Sequence, residues 1–421
     1  MAGCGSGPVV VETGRVTEVR TRGEHDWTPW RAVVAFGLVS LAADMVYEGM
    51  RSAAGPFLGE LGASALTVGL VTGAGEAIAL GLRLVTGPVA DRTGRHWGLT
   101  TLGYALTAVC VPLLAVTPLL GAAAVAAASL LMLTERAGKA IRSPSKSTLL
   151  ATMAVPVGRG RGFAVHKALD QVGAFSGPLV VAGVAALTGQ LALGFLVLAV
   201  PGVVSLVLLA RLRRHAPAEP PQPHEAEEVS AGRPARPPLP RSFRLFAFSC
   251  SASTLGLMTF GLISYAFVDT GLVPLAWAPV VYAGAMAVEA VAALATGGLY
   301  DRSGARVLYP LPLLVAVVPA LVFADRLAVV LLGVAVWGVA TGVQDSTVKA
   351  LVADLVPAGS LATAYGVFAA AQGGAALIGG GLAGLLYADH LGALVAVVAV
   401  LQVASLATLL LAVRERDRFG P

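Results

Sequence analysis

The chain has 421 residues, of which 56% are hydrophobic and only 13% charged, and its mean hydropathy is +0.79. Soluble domains run at about 45–50% apolar and about 25% charged residues, so this composition excludes a water-soluble fold. The net charge of +5 comes from arginines spread over many loops instead of gathered into one patch, which argues against a nucleic-acid partner.

Residues 1–29 carry Arg, Glu, Gly and Pro with no apolar core, so they are expected to form a flexible cytoplasmic tail and not a signal peptide. Apolar runs long enough to cross a bilayer, about 20 residues each, then tile the chain. Six fall within 30–212: Trp30 to Leu58, Ala65 to Val85, Trp97 to Val116, Leu119 to Ile141, Phe163 to Leu187 and Leu191 to Leu212. Residues 213–241 turn abruptly to Pro, Ala, Glu and Arg, a mixture that cannot bury enough apolar surface to fold, and are expected to be a cytoplasmic linker. Six more runs fill 242–413: Phe243 to Val268, Leu275 to Gly298, Val307 to Phe323, Leu327 to Val352, Ala362 to Tyr387 and Leu391 to Val413. Residues 414–421 are left as a short tail. The expected architecture is all-α and membrane-integral, twelve helices in two pseudo-symmetric bundles.

Charge bias supports the count. One set of loops holds Arg92, Arg95, Lys146, Arg159, Arg161, Arg213, Arg214, Arg302 and Arg306, together with the basic tails, whereas the opposite loops offer only Arg326. Because cytoplasmic loops keep positive charge, both termini are expected in the cytoplasm of a multi-pass cell-membrane protein. Cys4, Cys110 and Cys250 are scattered; no spacing implies a disulfide framework or a metal site, and they are expected to be packing residues.

The segment Gly87-Pro88-Val89-Ala90-Asp91-Arg92-Thr93-Gly94-Arg95 recurs in thinner form as Gly297-Gly298-Leu299-Tyr300-Asp301-Arg302-Ser303-Gly304-Ala305-Arg306. Repetition of a charged turn between spanning runs marks a duplicated membrane protein, the pattern of transporter repeats. Glycines at Gly173, Gly177, Gly373, Gly374, Gly379, Gly380 and Gly381 have the spacing that lets spanning helices approach closely.

The first copy resembles the loop between the second and third helices of the major facilitator superfamily of secondary transporters, G-x-x-x-D-R-x-G-R-R/K, through Gly87, Asp91, Arg92, Gly94 and Arg95. It departs at His96, where the family has a basic residue, and the fourth helix has Thr134-Glu135-Arg136-Ala137-Gly138-Lys139 in place of the family's arginine and Q-G-x-G-like stretch. Gly173-x-x-x-Gly177-Pro178 resembles the Gly-Pro motif of antiporter branches, a tilt toward efflux. Asp91 is able to accept hydrogen bonds from backbone N–H groups at the start of the next helix, and the arginines to pair with nearby acids. Gly87, Asp91, Arg92, Gly94 and Arg95, with the weaker Asp301 and Arg302, are therefore expected to form a gating latch, which the resemblance implies would hold the cytoplasmic side closed.

Ionisable groups at bilayer depth cost several kcal/mol, and those that persist mark substrate or proton paths. Asp44, Glu48 and Arg51 lie at i, i+4, i+7 in the first helix, on one face. Two carboxylates one turn apart oppose each other's ionisation while Arg51 favours that of Glu48, which makes Asp44 the first candidate for reversible protonation; a structural Glu48–Arg51 ion pair is the alternative. Glu76 and Arg83 share a face of the second helix. Glu135, Arg136, Lys139 and Arg142 cluster near the end of the fourth, and His166, Lys167 and Asp170 open the fifth, with Glu135–Lys139 and His166–Asp170 at i, i+4. The basic cluster either favours an anionic substrate or anchors the helix at the interface. The second half offers Glu289, and Asp345 with Lys349. Tyr47, Tyr104, Tyr265, Tyr282, Trp337, Gln344 and Gln372 are cavity or packing candidates.

These features imply a monomeric secondary transporter of a small solute, preferably a proton antiporter, working in the lipid bilayer with protons as partners and no cofactor or metal. A facilitator or proton symporter of a small anionic metabolite, or a non-transporting sensor with the same fold, is the alternative. No Walker loop, H-E-x-x-H or G-x-S-x-G motif occurs in the chain, which argues against an ATP-driven pump and against an enzyme.

Overall fold

A computed structural model describes residues 27–215, 239–357 and 360–419. Most of the expected N-terminal tail, Cys4 and most of the expected linker lie outside the described residues. Within them the chain is helical without strands. Ten helical stretches are long and apolar enough to span a membrane; one of these, His96–Met153, reverses at Gly121, whose φ of 54° and ψ of −122° no helix tolerates. A shorter apolar helix, Pro310–Val322, accompanies them, and each of the twelve expected spans falls on one of the resulting rods.

The rods are α1 (Pro29–Glu60), α2 (Ala65–Thr93), α3 (His96–Leu113), α4 (Ala124–Met153), α5 (Arg159–Thr188) and α6 (Leu191–His215), followed by α7 (Arg241–Asp269), α8 (Ala278–Ser303), α9 (Pro310–Val322), α10 (Leu327–Leu355), α11 (Leu361–Leu386) and α12 (Leu391–Phe419). Three ends differ from expectation. Helix α4 starts later than Leu119, because Pro118 and Gly121 shape a tight turn, and runs on through Pro144 to Met153. Proline costs that helix one hydrogen bond, but Arg142 and Ser145 on either side are buried at 3% and 0% exposure, so packing holds the turn. Helix α12 likewise continues to Phe419, into the stretch expected as a tail. Lys146, expected in a loop, lies inside α4.

Two apolar clusters form the core of the first six helices and one large cluster that of the last six. The halves meet at the end remote from the Asp91 turn and, along α2 and α11, as far toward that turn as Leu84 and Gly366. At the remote end Tyr265, Leu275 and Ala276 of the second half pack on a first-half cluster, and Ala65 of the first half enters the second-half cluster. At the Asp91 end, hereafter the basic end, the corresponding first-half cluster is covered only by first-half side chains.

Backbone contact at the remote end requires glycine. A Cβ on Gly55 of α1 would strike the carbonyl of Gly261 in α7, and one on Gly69 of α2 would strike the carbonyl of Gly380 in α11. Gly173 and Gly177 of α5 sit as tightly against the carbonyls of Leu41 and Met45 in α1, so these glycines serve helix packing. In contrast, Gly284 of α8 faces open space. Gly69→Val is expected to destabilise the purified protein by the ~1–3 kcal/mol typical of overpacking and so to lower its thermal unfolding temperature, whereas Gly284→Ala should leave that temperature unchanged or slightly raised. Equal shifts for both would contradict the close α2–α11 approach.

Candidate functional site

Between the halves lies a cavity of about 1140 Å³, counted out to its mouth, lined by Tyr47, Arg51, Glu76, Arg83 and Lys139 of the first half and by Met258, Glu289, Trp337, Gln344, Asp345, Lys349 and Gln372 of the second, among others. Asp345 and Lys349, toward the basic end, keep 64% and 57% of their side chains exposed, so the cavity opens at that end.

The first-half wall is a network of ion pairs. Glu76 accepts from Arg51 of α1 at 3.0 Å and from Arg136 of α4 at 3.4 Å, so one carboxylate is shared by two guanidiniums from two neighbouring helices. Arg136 also donates to the Tyr47 hydroxyl, and Lys139 sits 3.5 Å above the Tyr47 ring, a cation–π contact. Glu48 is 3.8 Å from Arg51 and accepts a 2.5 Å hydrogen bond from Tyr282 of α8. That bond joins the halves, and Tyr282 is completely buried.

Deeper in the first half, Arg142 of α4 donates to Thr107 at 2.6 Å and lies 4.0 Å from both Asp44 and Glu135. Glu135, with no exposed surface, also accepts from Thr107 at 2.9 Å. A third group joins Lys146 to Asp170 at 3.5 Å and to Ser40 at 2.9 Å, with His166 and Tyr104 on the same serine at 3.1 and 2.9 Å.

Several expectations change. Asp44, Glu48 and Arg51 do share a protein-facing side of α1, but they separate into two partnerships, and Arg51 pairs more closely with Glu76 than with Glu48. Glu135 does not pair with Lys139; the helix turns Lys139 onto Tyr47 while Glu135 points into the bundle toward Arg142. His166–Asp170 and Asp345–Lys349 are in contact at 3.7 and 3.5 Å, while Lys167 is exposed. Tyr265 lies against Gly59, away from the cavity. Asp44 and Asp170 are not among the cavity-lining residues.

Among the described residues, those of the expected latch do not meet one another or an acidic partner. Asp91, Arg92, Arg95, Asp301 and Arg302 are exposed, and among the described residues none has an ion pair or side-chain hydrogen bond. Asp91 does not cap the next helix, because it sits within the last turn of α2; Gly94, at φ 63°, ends that helix, and α3 follows without a side-chain cap. Gly87 has open space around it. Asp301 and Arg302 similarly lie in the last turn of α8.

Sequence reasoning missed Ser40, Thr107 and Lys146, and with them the break in α7. There Met258, at φ 50° the one non-glycine residue with positive φ among the described residues, separates two helical pieces. Trp337 donates to the Met258 carbonyl at 3.2 Å, replacing a bond the interrupted helix loses, and Thr259 meets Thr72 of α2 at 2.6 Å. Broken helices at a midplane cavity are a transporter device. The only signal in the sequence was Gly256 and Gly261 on either side of Met258, in a run that also carries Ser249, Ser251, Ser253, Thr254, Thr259 and Ser264.

Comparison with known proteins decides the family. The Major Facilitator Superfamily model matches residues 36–323 and 275–420. The chain belongs to the Major Facilitator Superfamily. Uncharacterised proteins of Mycobacterium tuberculosis and Mycobacterium bovis are 49% identical to it over 383 residues, covering 90% of this chain and 91% of each relative. Among solved structures, the nucleoside transporter NupG superposes with a TM-score of 0.70 at 14% identity, over 91% of this chain and 99% of that one. A bacterial homologue of the human lysosomal transporter Spinster gives 0.66 at 15% identity, over 93% and 96%, and a peptide transporter POT in complex with sulfate 0.70 at 16%, over 92% and 95%. At such identities the likeness is one of fold, and this is a multi-pass membrane transporter fold.

If Glu76 is the hub of the first-half wall, Glu76→Gln leaves Arg51 and Arg136 short of an acid and should destabilise the purified protein by about 3 kcal/mol, the lower end for a broken buried pair. Asp345→Asn removes an exposed pair worth about 0–1 kcal/mol. Thermal unfolding in detergent checks this; shifts of equal size would remove Glu76 from its central position.

Proposed function

We propose that this transporter moves a small polar solute across the cell membrane by alternating access, as a monomer and by proton antiport. The observation that carries the reading is the charged cavity between the halves, closed by apolar packing at the remote end and open at the basic end. Excess Arg and Lys at the basic end assigns it to the cytoplasm, with both termini; the conformation described is then inward-facing. In that state the Asp91 turn has no ion-pair partner among the described residues, as expected for a latch that closes only when the cytoplasmic side closes.

Proton coupling is assigned to the first half. Asp44 is 20% exposed and no nearer than 4.0 Å to its cation, Arg142, a looser partnership than that of Glu76 at 3.0 Å. A carboxylate held loosely can exchange a proton without dismantling the wall. Arg83 and Lys139 keep alive a second reading, uptake or facilitated passage of an anion, because neither has an ion pair among the described residues.

Two measurements on protein reconstituted in vesicles test this, using a solute that raises its thermal stability. Solute movement should drive a change in internal pH that Asp44→Asn abolishes while solute counterflow persists; counterflow with no proton movement in the native protein would leave the facilitator. Asp91→Asn should slow net transport by about tenfold or more, a barrier change of ~1.4 kcal/mol, with binding retained. An unchanged rate would reduce the turn to an orienting loop.

A further inference from the structure

Most charges in the cavity are already balanced. Arg51 is held by Glu48 and Glu76, and Asp345 by Lys349 at 3.5 Å. Three lining groups have neither an ion pair nor a side-chain hydrogen bond among the described residues: Arg83 on α2, Lys139 on α4 and Glu289 on α8. Their distribution is unequal: the two cations without a carboxylate partner, Arg83 and Lys139, the latter against the Tyr47 ring, lie on the first-half wall, and the carboxylate without a cation partner lies on the second. Charges within a membrane protein are costly when unpaired, so a cavity that keeps three of them and sorts them by sign is complementary to a ligand with the reverse arrangement. Gln344 adds a buried Nε2 donor without a partner, and Trp337 with Met258 supplies an apolar floor.

We propose that the cavity selects a small zwitterion, with its anionic group between Arg83 and Lys139 and its ammonium group toward Glu289; this rests on the cavity being the transport site. A simple anion would leave Glu289 facing a like charge, and a simple cation would meet Arg83 and Lys139. A bound zwitterion satisfies both walls, which is what permits the two halves to approach over it.

The test is thermal unfolding of the full chain in detergent with solutes matched in skeleton: 6-aminohexanoate against hexanoate and hexylamine, and a series of amino acids and dipeptides against their N-acetyl and carboxamide forms. Stabilisation is expected from members that carry both charges, by about 1–3 °C at tenfold excess over Kd. A singly charged or neutral member that stabilises as well, or silence from every zwitterion, overturns the proposal. Glu289→Gln should erase the preference for a free amine over its N-acetyl form, and Lys139→Gln with Arg83→Gln the preference for a free carboxylate over its amide, each about tenfold in apparent affinity. If these variants only lower unliganded stability and leave selectivity unchanged, the groups are structural and the proposal fails. Vesicle flux separates the two readings: a zwitterion that binds selectively but is not carried contradicts transport and leaves the charge assignment standing, whereas selective carriage of an uncharged solute contradicts the charge assignment and leaves transport standing.

Discussion

One carboxylate organises the first half. Glu76 lies between Arg51 and Arg136, and without it two guanidiniums from α1 and α4 would face each other in a membrane interior. Because the pairs run from α1 to α2 and from α2 to α4, the same interaction that neutralises the charges fixes three helices around the cavity. Arg136 then orients Tyr47, Tyr47 receives Lys139, and Arg51 supports Glu48, whose other partner is Tyr282 in the second half. The chain of contacts runs from helix electrostatics to the wall of a cavity and across to the opposite bundle.

The two halves contribute differently. Among the described residues the first supplies most of the ion pairs, and the second supplies a broken helix at Met258, tied down by Trp337, with Thr254 donating to Gln344 and accepting from Gln372. At the remote end the contact between halves is largely apolar and backbone-close through Gly55 and Gly261, with the Glu48–Tyr282 and Thr72–Thr259 hydrogen bonds as polar ties between the halves. The charged turns at the basic end, Asp91 with Arg92 and Asp301 with Arg302, are exposed in the described conformation. Such an asymmetric division suits a molecule whose two ends open in turn.

Much of this was legible in the sequence. Composition and apolar runs mark the membrane, and the repeated Asp-Arg turn marks duplication; periodicity places Asp44, Glu48 and Arg51 on one face of α1. What stayed hidden depended on distance in the chain. Periodicity orients Glu48 but cannot find Tyr282, 234 positions away, and i, i+4 spacing assigns Lys139 to Glu135 because it sees one helix and not the tyrosine across from it. Lys146 reads as a loop cation because the fourth apolar run ends at Ile141, whereas packing of Arg142 and Ser145 carries the helix on past Pro144. The break at Met258 left almost no trace, because its support comes from Trp337 on another helix.

Reciprocal movement of the two ends is the core of the account, and paired spin-label distances measure it directly. Labels at Ser147→Cys on α4 and Ala353→Cys on α10, both exposed, report the basic end; labels at Glu60→Cys on α1 and Asp269→Cys on α7, also exposed, report the remote end. With a transported solute, the distribution at the basic end should shift to shorter distances while that at the remote end gains a longer component. Distances at both ends that stay fixed with and without solute would contradict alternating access and leave a rigid membrane protein with a charged, immobile cavity.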